Sequence, residues 1–282
     1  LEEAVANGIT DIAEDNYEKA IRALLKAGVS TKILYQCEGG NFVDEVKVNE
    51  AIYMSEEEFT GLLLVERTGY RFVGWICDSY DFNASDALFS LVLKATWSEK
   101  EYVIQYHLDG GTASNPSEYG VKDDSFTLIA PEKTGYTFIG WTGTDLTQPT
   151  LNVTIPTGSH GDRAYTANWQ ANSYSVSFDL AGGSQEITEV TYTYNQSVTL
   201  PTPQKEAYTF AGWYKGTQKV TSGNWTIATN ITLVAKWTPI TYRITYDLGD
   251  VPATNPNKNS FNVESNTITL KDLSYDYCTF EG

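Results

Sequence analysis

The sequence predicts a mainly β chain of the α+β class, built as a tandem array of small repeats behind one short N-terminal helix. Three observations carry this prediction. Three marker segments recur in the same order along the chain, each alternates apolar and polar residues, and 19 Tyr, 11 Phe and 7 Trp beside a single Met favour strands over helices.

The first marker to stand out ends in tryptophan, as TGYRFVGW, TGYTFIGW and EAYTFAGW, closing on Trp75, Trp141 and Trp213. Gly74, Gly140 and Gly212 precede those rings, and a fourth copy, YDYCTFEG, reaches the C-terminus at Gly282. A second marker lies upstream in each copy: KILYQCEGG, YVIQYHLDGG, YSVSFDLAGG and YRITYDLGD. A third lies downstream in the first three, LVLKATW, RAYTANW and ITLVAKW, with Trp97, Trp169 and Trp237 spaced 72 and 68 residues apart. The chain therefore divides into an N-terminal segment (1–30), unit 1 (31–98), unit 2 (99–170), unit 3 (171–238) and a partial unit 4 (239–282).

Each element follows from its pattern. Tyr174, Val176, Phe178 and Leu180 fall on one face of a strand and Ser175, Ser177 and Asp179 on the other, and the matching segments of units 2 and 4 repeat that alternation. Leu93, Ala95 and Trp97, with their counterparts ending at Trp169 and Trp237, form the inward face of a last strand. The glycine pairs ending in Gly40, Gly111 and Gly183 supply a turn after the first strand. Four strands in a unit of this length leave no room for crossover helices, so each unit is expected to be a small mixed sheet. Before the array, Asp15 and Glu18 form a capping-box pattern, Tyr17, Ile21, Leu24 and Leu25 an apolar stripe, and Gly28 a stop, which predicts a helix over 15–27. It reads either as the remnant of an upstream domain or as a cap on unit 1.

These markers resemble the internalin B-repeat family, also called the Listeria-Bacteroides repeat, over about 250 residues. Unit 3 matches almost throughout. Unit 2 has Thr142 where a Tyr follows the Trp, and unit 1 departs with QCEGG and the acidic SEEEF at 55–59. The resemblance implies a β-grasp-like unit arranged in an elongated array, secretion to a bacterial cell surface, and a stalk or adhesion role without catalytic residues.

Charge and chemistry point the same way. A formal net charge of −17 disfavours nucleic acid and anionic membrane surfaces as partners. Neither of the two histidines, His107 and His160, recurs between units, and no residue set suggests a cofactor or metal. Asp109, Asp179 and Asp247 recur before the first turn, where a carboxylate fixes the backbone more readily than it holds calcium. Cys37 and Cys77 are read as free thiols with a bridge left open, and Cys278 has no assigned partner.

Trp75, Trp141 and Trp213 are the candidate binding surface, because exposed aromatic faces stack on sugars and on protein side chains. Their parity differs from that of Phe138 and Phe210, which places one ring on the outer sheet face or against a neighbouring unit or covering loop. The function expected is a non-catalytic, monomeric extracellular spacer that binds a host or cell-wall protein, with a carbohydrate-binding module as the alternative. The chain is expected to be part of a longer product, with unit 4 less ordered than the others or completed by a neighbour.

Overall fold

A computed structural model of the chain describes residues 2–44, 49–250 and 253–274. It is mainly β, with two helices followed by a series of small sheets. Two compact units are present, one of Leu1–Asp109, Ala113–Pro131 and Gly140–Asn168, the other of Gly110–Thr112, Glu132–Ile139 and Trp169–Gly282.

Two helices stand where one was expected. Helix α2 (Tyr17–Lys26) buries Tyr17, Ala20, Ile21, Leu24 and Leu25 and ends before Gly28, as its stripe predicts. Helix α1 (Glu2–Ala13) is an addition to the one helix expected. Gly8 permits close helix packing, because a side-chain carbon there would stand 3.2 Å from Leu24. The capping box is not formed. Asp15 takes the left-handed conformation (φ +60°) that a tight interhelical turn demands, and Asn16 holds the N-cap without a side-chain bond. Glu18 turns outward to accept the Leu62 amide at 3.2 Å. Both helices share the core of repeat 1, so they cap it and belong to it.

Repeat 1 contributes β1 (Ser30–Gln36), β2 (Glu50–Tyr53), β3 (Tyr70–Asn83) and β4 (Leu88–Glu99), in the sheet order β2-β1-β4-β3. Repeat 2 contributes β5 (Tyr102–His107), β6 (Glu118–Tyr119), β7 (Tyr136–Gly143), β8 (Leu146–Thr150) and β9 (Arg163–Ala171), in the order β8-β7-β9-β5-β6. Repeat 3 contributes β10 (Ser173–Asp179), β11 (Val190–Thr193), β12 (Tyr208–Lys215), β13 (Gln218–Val220) and β14 (Ile231–Pro239), in the order β11-β10-β14-β12-β13. The plan is common to all three: first and last strands lie side by side and parallel at the centre, with antiparallel partners outside. These are the mixed sheets expected.

The tryptophan strand breaks its own parity. In repeats 1 and 3 the ladder shifts register between Phe72 and Gly74 and between Phe210 and Gly212. A bulge inserts one residue, so the residue after the glycine returns to the face that the Phe occupies. Gly212 at φ +133° and Gly140 at φ +131° have the backbone such a bulge requires. Phe210 and Trp213 consequently meet edge to face at 5.4 Å, and Phe72 meets Trp75 at 5.5 Å. The opposite-face placement expected from strict alternation is thereby overturned.

Unit 4 shows a short ladder between Tyr242–Arg243 and Ser260–Phe261. Its YDYCTFEG segment, with Cys278, lies outside the described residues.

Candidate functional site

The two tryptophans of each repeat perform different tasks. Trp75, Trp141 and Trp213 are 8%, 0% and 1% exposed, so the aromatic binding surface expected of them is not presented to solvent. The bulge turns them inward, where the indole N–H of Trp75 donates to Leu63 O at 3.2 Å and that of Trp213 to Pro201 O at 2.7 Å. All three rings fill the core, and those of Trp75 and Trp213 tie down the loop leading into their own strand. Of the placements left open by the sequence, the covering loop is the one observed.

Trp97 and Trp237 are half-buried and act at the other end of the sheet. Their indole N–H groups donate to Cys37 O at 3.0 Å and Leu180 O at 2.9 Å, binding the last strand to the turn that ends the first. This explains the paired glycines. The first of each pair has φ near +80°, while Gly40 and Gly183 leave space for the indole. A side-chain carbon on Gly40 would lie 2.9 Å from the Glu66 carbonyl oxygen and nearer still to the Trp97 ring, and one on Gly183 would lie 3.1 Å from Trp237. Trp169 occupies the same place in repeat 2, edge to face with Phe138 at 5.7 Å.

A third component escaped the sequence reading. Arg67, Lys133 and Lys205 each precede an aromatic residue by three positions and lie over its ring, 3.9 Å from Tyr70, 4.3 Å from Tyr136 and 4.3 Å from Tyr208. Arg67 also donates to Glu38 O at 2.9 Å and Lys205 to Ala181 O at 3.0 Å, so the cation reaches the same turn as the second indole. The available signal was a basic residue at a fixed offset in RTGY, KTGY and KEAY. In repeat 3, Lys205, Tyr208, Phe210 and Trp237 line an open groove of about 650 Å³.

The recurrent aspartates need one correction. Asp179 accepts the Ala181 amide at 2.9 Å and Asp247 the Gly249 amide at 3.0 Å, fixing the turn as expected. Asp109 is not their equivalent. It has φ +47°, matching Ala181 at +48°, and therefore sits inside the turn, while exposed His107 occupies the aspartate position.

Consecutive repeats meet through a recurring joint. The Gly69 carbonyl accepts the Lys100 amide, that of Gly135 the Asn172 amide and that of Ala207 the Ile240 amide, each at 2.9 Å. Val121 of the following repeat is seated on Gly69, and Tyr194 on Gly135, so closely that a side chain at either glycine would fall inside 3.0 Å of it. Tyr194 also meets Tyr136 edge to face at 5.5 Å.

Ionisable groups serve packing. Burial, reinforced by a hydrogen bond to Asp15, pushes Tyr17 up to about 12, and its hydroxyl accepts the Cys77 amide at 3.0 Å. Burial likewise pushes Tyr106 up to about 12. Burial alone would lower the Arg163 pKa, but bonds to Tyr119, Tyr165 and Asp145 outweigh it and raise it. Cys37 and Cys77 are free, and burial raises both thiols. Among the described residues, no cluster of three or more His, Cys, Asp or Glu could hold a metal, and no helix is long and apolar enough to cross a membrane.

Comparison with known proteins adds the context. Residues 174–236 match the Listeria-Bacteroides repeat domain, and residues 102–173 match the divergent InlB B-repeat domain. A protein of Evansella cellulosilytica named as a Gly-rich membrane protein is 29% identical over 225 residues, covering 76% of this chain and 25% of that protein. A second Evansella protein, named as a membrane protein, is 29% identical over 227 residues, covering 77% and 33%. Internalin H of Listeria monocytogenes is 34% identical over 116 residues, covering 39% and 20%. The chain thus spans between a fifth and a third of these relatives.

Proposed function

We propose, from the premise that this chain carries tandem repeats of the internalin B-repeat family, that it is a non-catalytic extracellular spacer and protein-interaction region of a bacterial cell-surface protein. The observation that carries this reading is how the repeated residues are used. Tryptophans, paired glycines and cations hold each repeat together or join it to the next, and none of these recurring sets converges on a reactive centre. The central parallel pair, with second and third strands outside, supports the β-grasp-like description of the unit. Relatives named as membrane proteins and as an internalin support a place at the cell surface.

The spacer part is tested by small-angle scattering on the monomer. A radius of gyration near the roughly 19 Å of a compact globule of this length would refute it. The interaction part is tested by surface plasmon resonance against purified host extracellular-matrix and cell-wall proteins, with saturable binding to at least one expected. A glycan array supplies the competing outcome. Binding to sugars alone would favour the carbohydrate module, although the three rings on which that alternative relied are buried.

A further inference from the structure

The entry and exit of each complete repeat stand in an arrangement that matters under tension. In repeat 3 the chain enters at the start of β10 and leaves at the end of β14, and these neighbours run parallel, with Val176 opposite Ile231 and Asp179 opposite Val234. Entry and exit therefore lie at opposite ends of one ladder. Pulling on both drives the strands past each other along their length, so every bond of the ladder is strained together. An antiparallel pair would have entry and exit at the same end and would open one bond at a time.

The same plan holds for β1 with β4 and for β5 with β9. In repeat 1 the parallel register runs through seven pairs, from Ser30 opposite Leu88 to Gln36 opposite Lys94. Side chains reinforce the sliding interface. Ser177 and Thr232 hydroxyls bond across it at 2.7 Å in repeat 3. The Trp97 and Trp237 indoles fasten the last strand to the turn just beyond the first, in the line along which the strands would slip. Arg67 and Lys205 hold the same turn through the Glu38 and Ala181 carbonyl oxygens.

We infer that each complete repeat is a shear clamp, and that the array serves to carry tensile load between whatever is attached to its two ends. The purpose rests on the spacer reading, whereas the clamp is a property of the repeat alone, so the two fail separately. A compact particle in scattering would remove the spacer, and the pulling experiment below would remove the clamp.

The experiment uses the full chain in optical tweezers, with clickable azido residues as handles so that the native cysteines stay in place. One version places them at exposed Ser173 and Thr238, loading the β10–β14 pair in shear. The other places them at exposed Ser184 and Thr238, which lie toward the same end of the parallel pair, so that the load peels the strands apart. Forced unfolding reads the unfolding barrier, so the comparison is made at one loading rate. The shear version is expected to rupture at clearly higher force in a single step, releasing about 200 Å at roughly 3.4 Å per residue. Equal rupture forces in the two geometries would overturn the inference, as would gradual lengthening in shear. Trp237→Phe, which keeps a ring and removes the bond to Leu180, is expected to lower the shear force. An unchanged force would overturn the part assigned to the indole.

Discussion

Replacing Gly135 by Ala tests whether the joint between repeats 2 and 3 is as close as it appears. Two costs are separable. Gly135 has φ +79°, where any L side chain is strained by roughly 1–2 kcal/mol. Its new Cβ would also fall inside 3.0 Å of three ring atoms of Tyr194, whose ring is held against Tyr136. Overpacking of this kind costs about 1–3 kcal/mol. Gly110 supplies the control, with a matched φ of +82° and nothing within 4 Å of its Cβ position. Gly135→Ala is therefore expected to lose roughly 2–5 kcal/mol and Gly110→Ala only about 1–2 kcal/mol. Urea unfolding followed by tryptophan fluorescence reads the difference as a shift in midpoint at constant slope. Tyr194→Ala in the Gly135→Ala background should recover the steric part and leave the backbone part, a double-mutant cycle with clear coupling. Equal losses for the two glycines, or no coupling to Tyr194, would refute the joint. Repeat 3 already carries Ala207 at this position, and Val263, the residue aligned with Tyr194, is 53% exposed, as expected where the contact is not seated.

Other perturbations follow from the same geometry. Trp213→Ala empties a fully buried site and should cost about 3–5 kcal/mol, while Trp213→Phe should cost less but free the loop at Pro201, measured by faster amide exchange around residues 198–203. Lys205→Ala should lose about 1 kcal/mol of ring and carbonyl interaction, and Lys205→Arg should be tolerated because repeat 1 has Arg67 in that place; equal damage from both would contradict the clamp. Tyr17 and Tyr106 have folded pKa values raised from 10.0 to about 12. Their neutral forms favour the fold, so stability is intact below pH 10 and falls as pH rises toward 12. A thermal midpoint flat across that window would count against the burial assigned to them. Asp145→Ala should change stability by less than about 1 kcal/mol, since its carboxylate is 77% exposed in its pair with Arg163.

Much of the fold was legible because repetition turns single weak signals into a pattern. Alternation in YSVSFDL and ITLVAKW placed the inward faces correctly, and the glycine pairs located the turns. Parity failed at the Gly-Trp step, because counting by two cannot register an extra residue in one strand. The candidate site was misjudged at the same point, since the bulge decides which way Trp213 faces. Helix α1 was missed because the space needed by Leu24 gives a helical position to glycine, a tertiary demand that overrides propensity. Asp109 was misaligned because unit 2 places an aspartate two residues later than its neighbours, as both the count back from the glycine pair and φ reveal. The cations were visible as spacing, but their purpose depends on a turn some 25 residues away in sequence.

The joint has a direction. At the first two joints the glycine socket belongs to the upstream copy and the protruding side chain to the downstream copy, so a module seated on both sides carries both halves, whereas repeat 3 has Ala207 in the socket position. Gene duplication can lengthen such a chain without inventing a new contact, provided the recombination point keeps the two halves in frame. A cassette cut between the last tryptophan and the next first strand, as at Trp169 and Ser173, preserves the sheet anchors on both sides. Val121 and Tyr194 differ in size over the same kind of glycine, so exchanging modules would test fit at each seam, and the order of the copies carries information of its own.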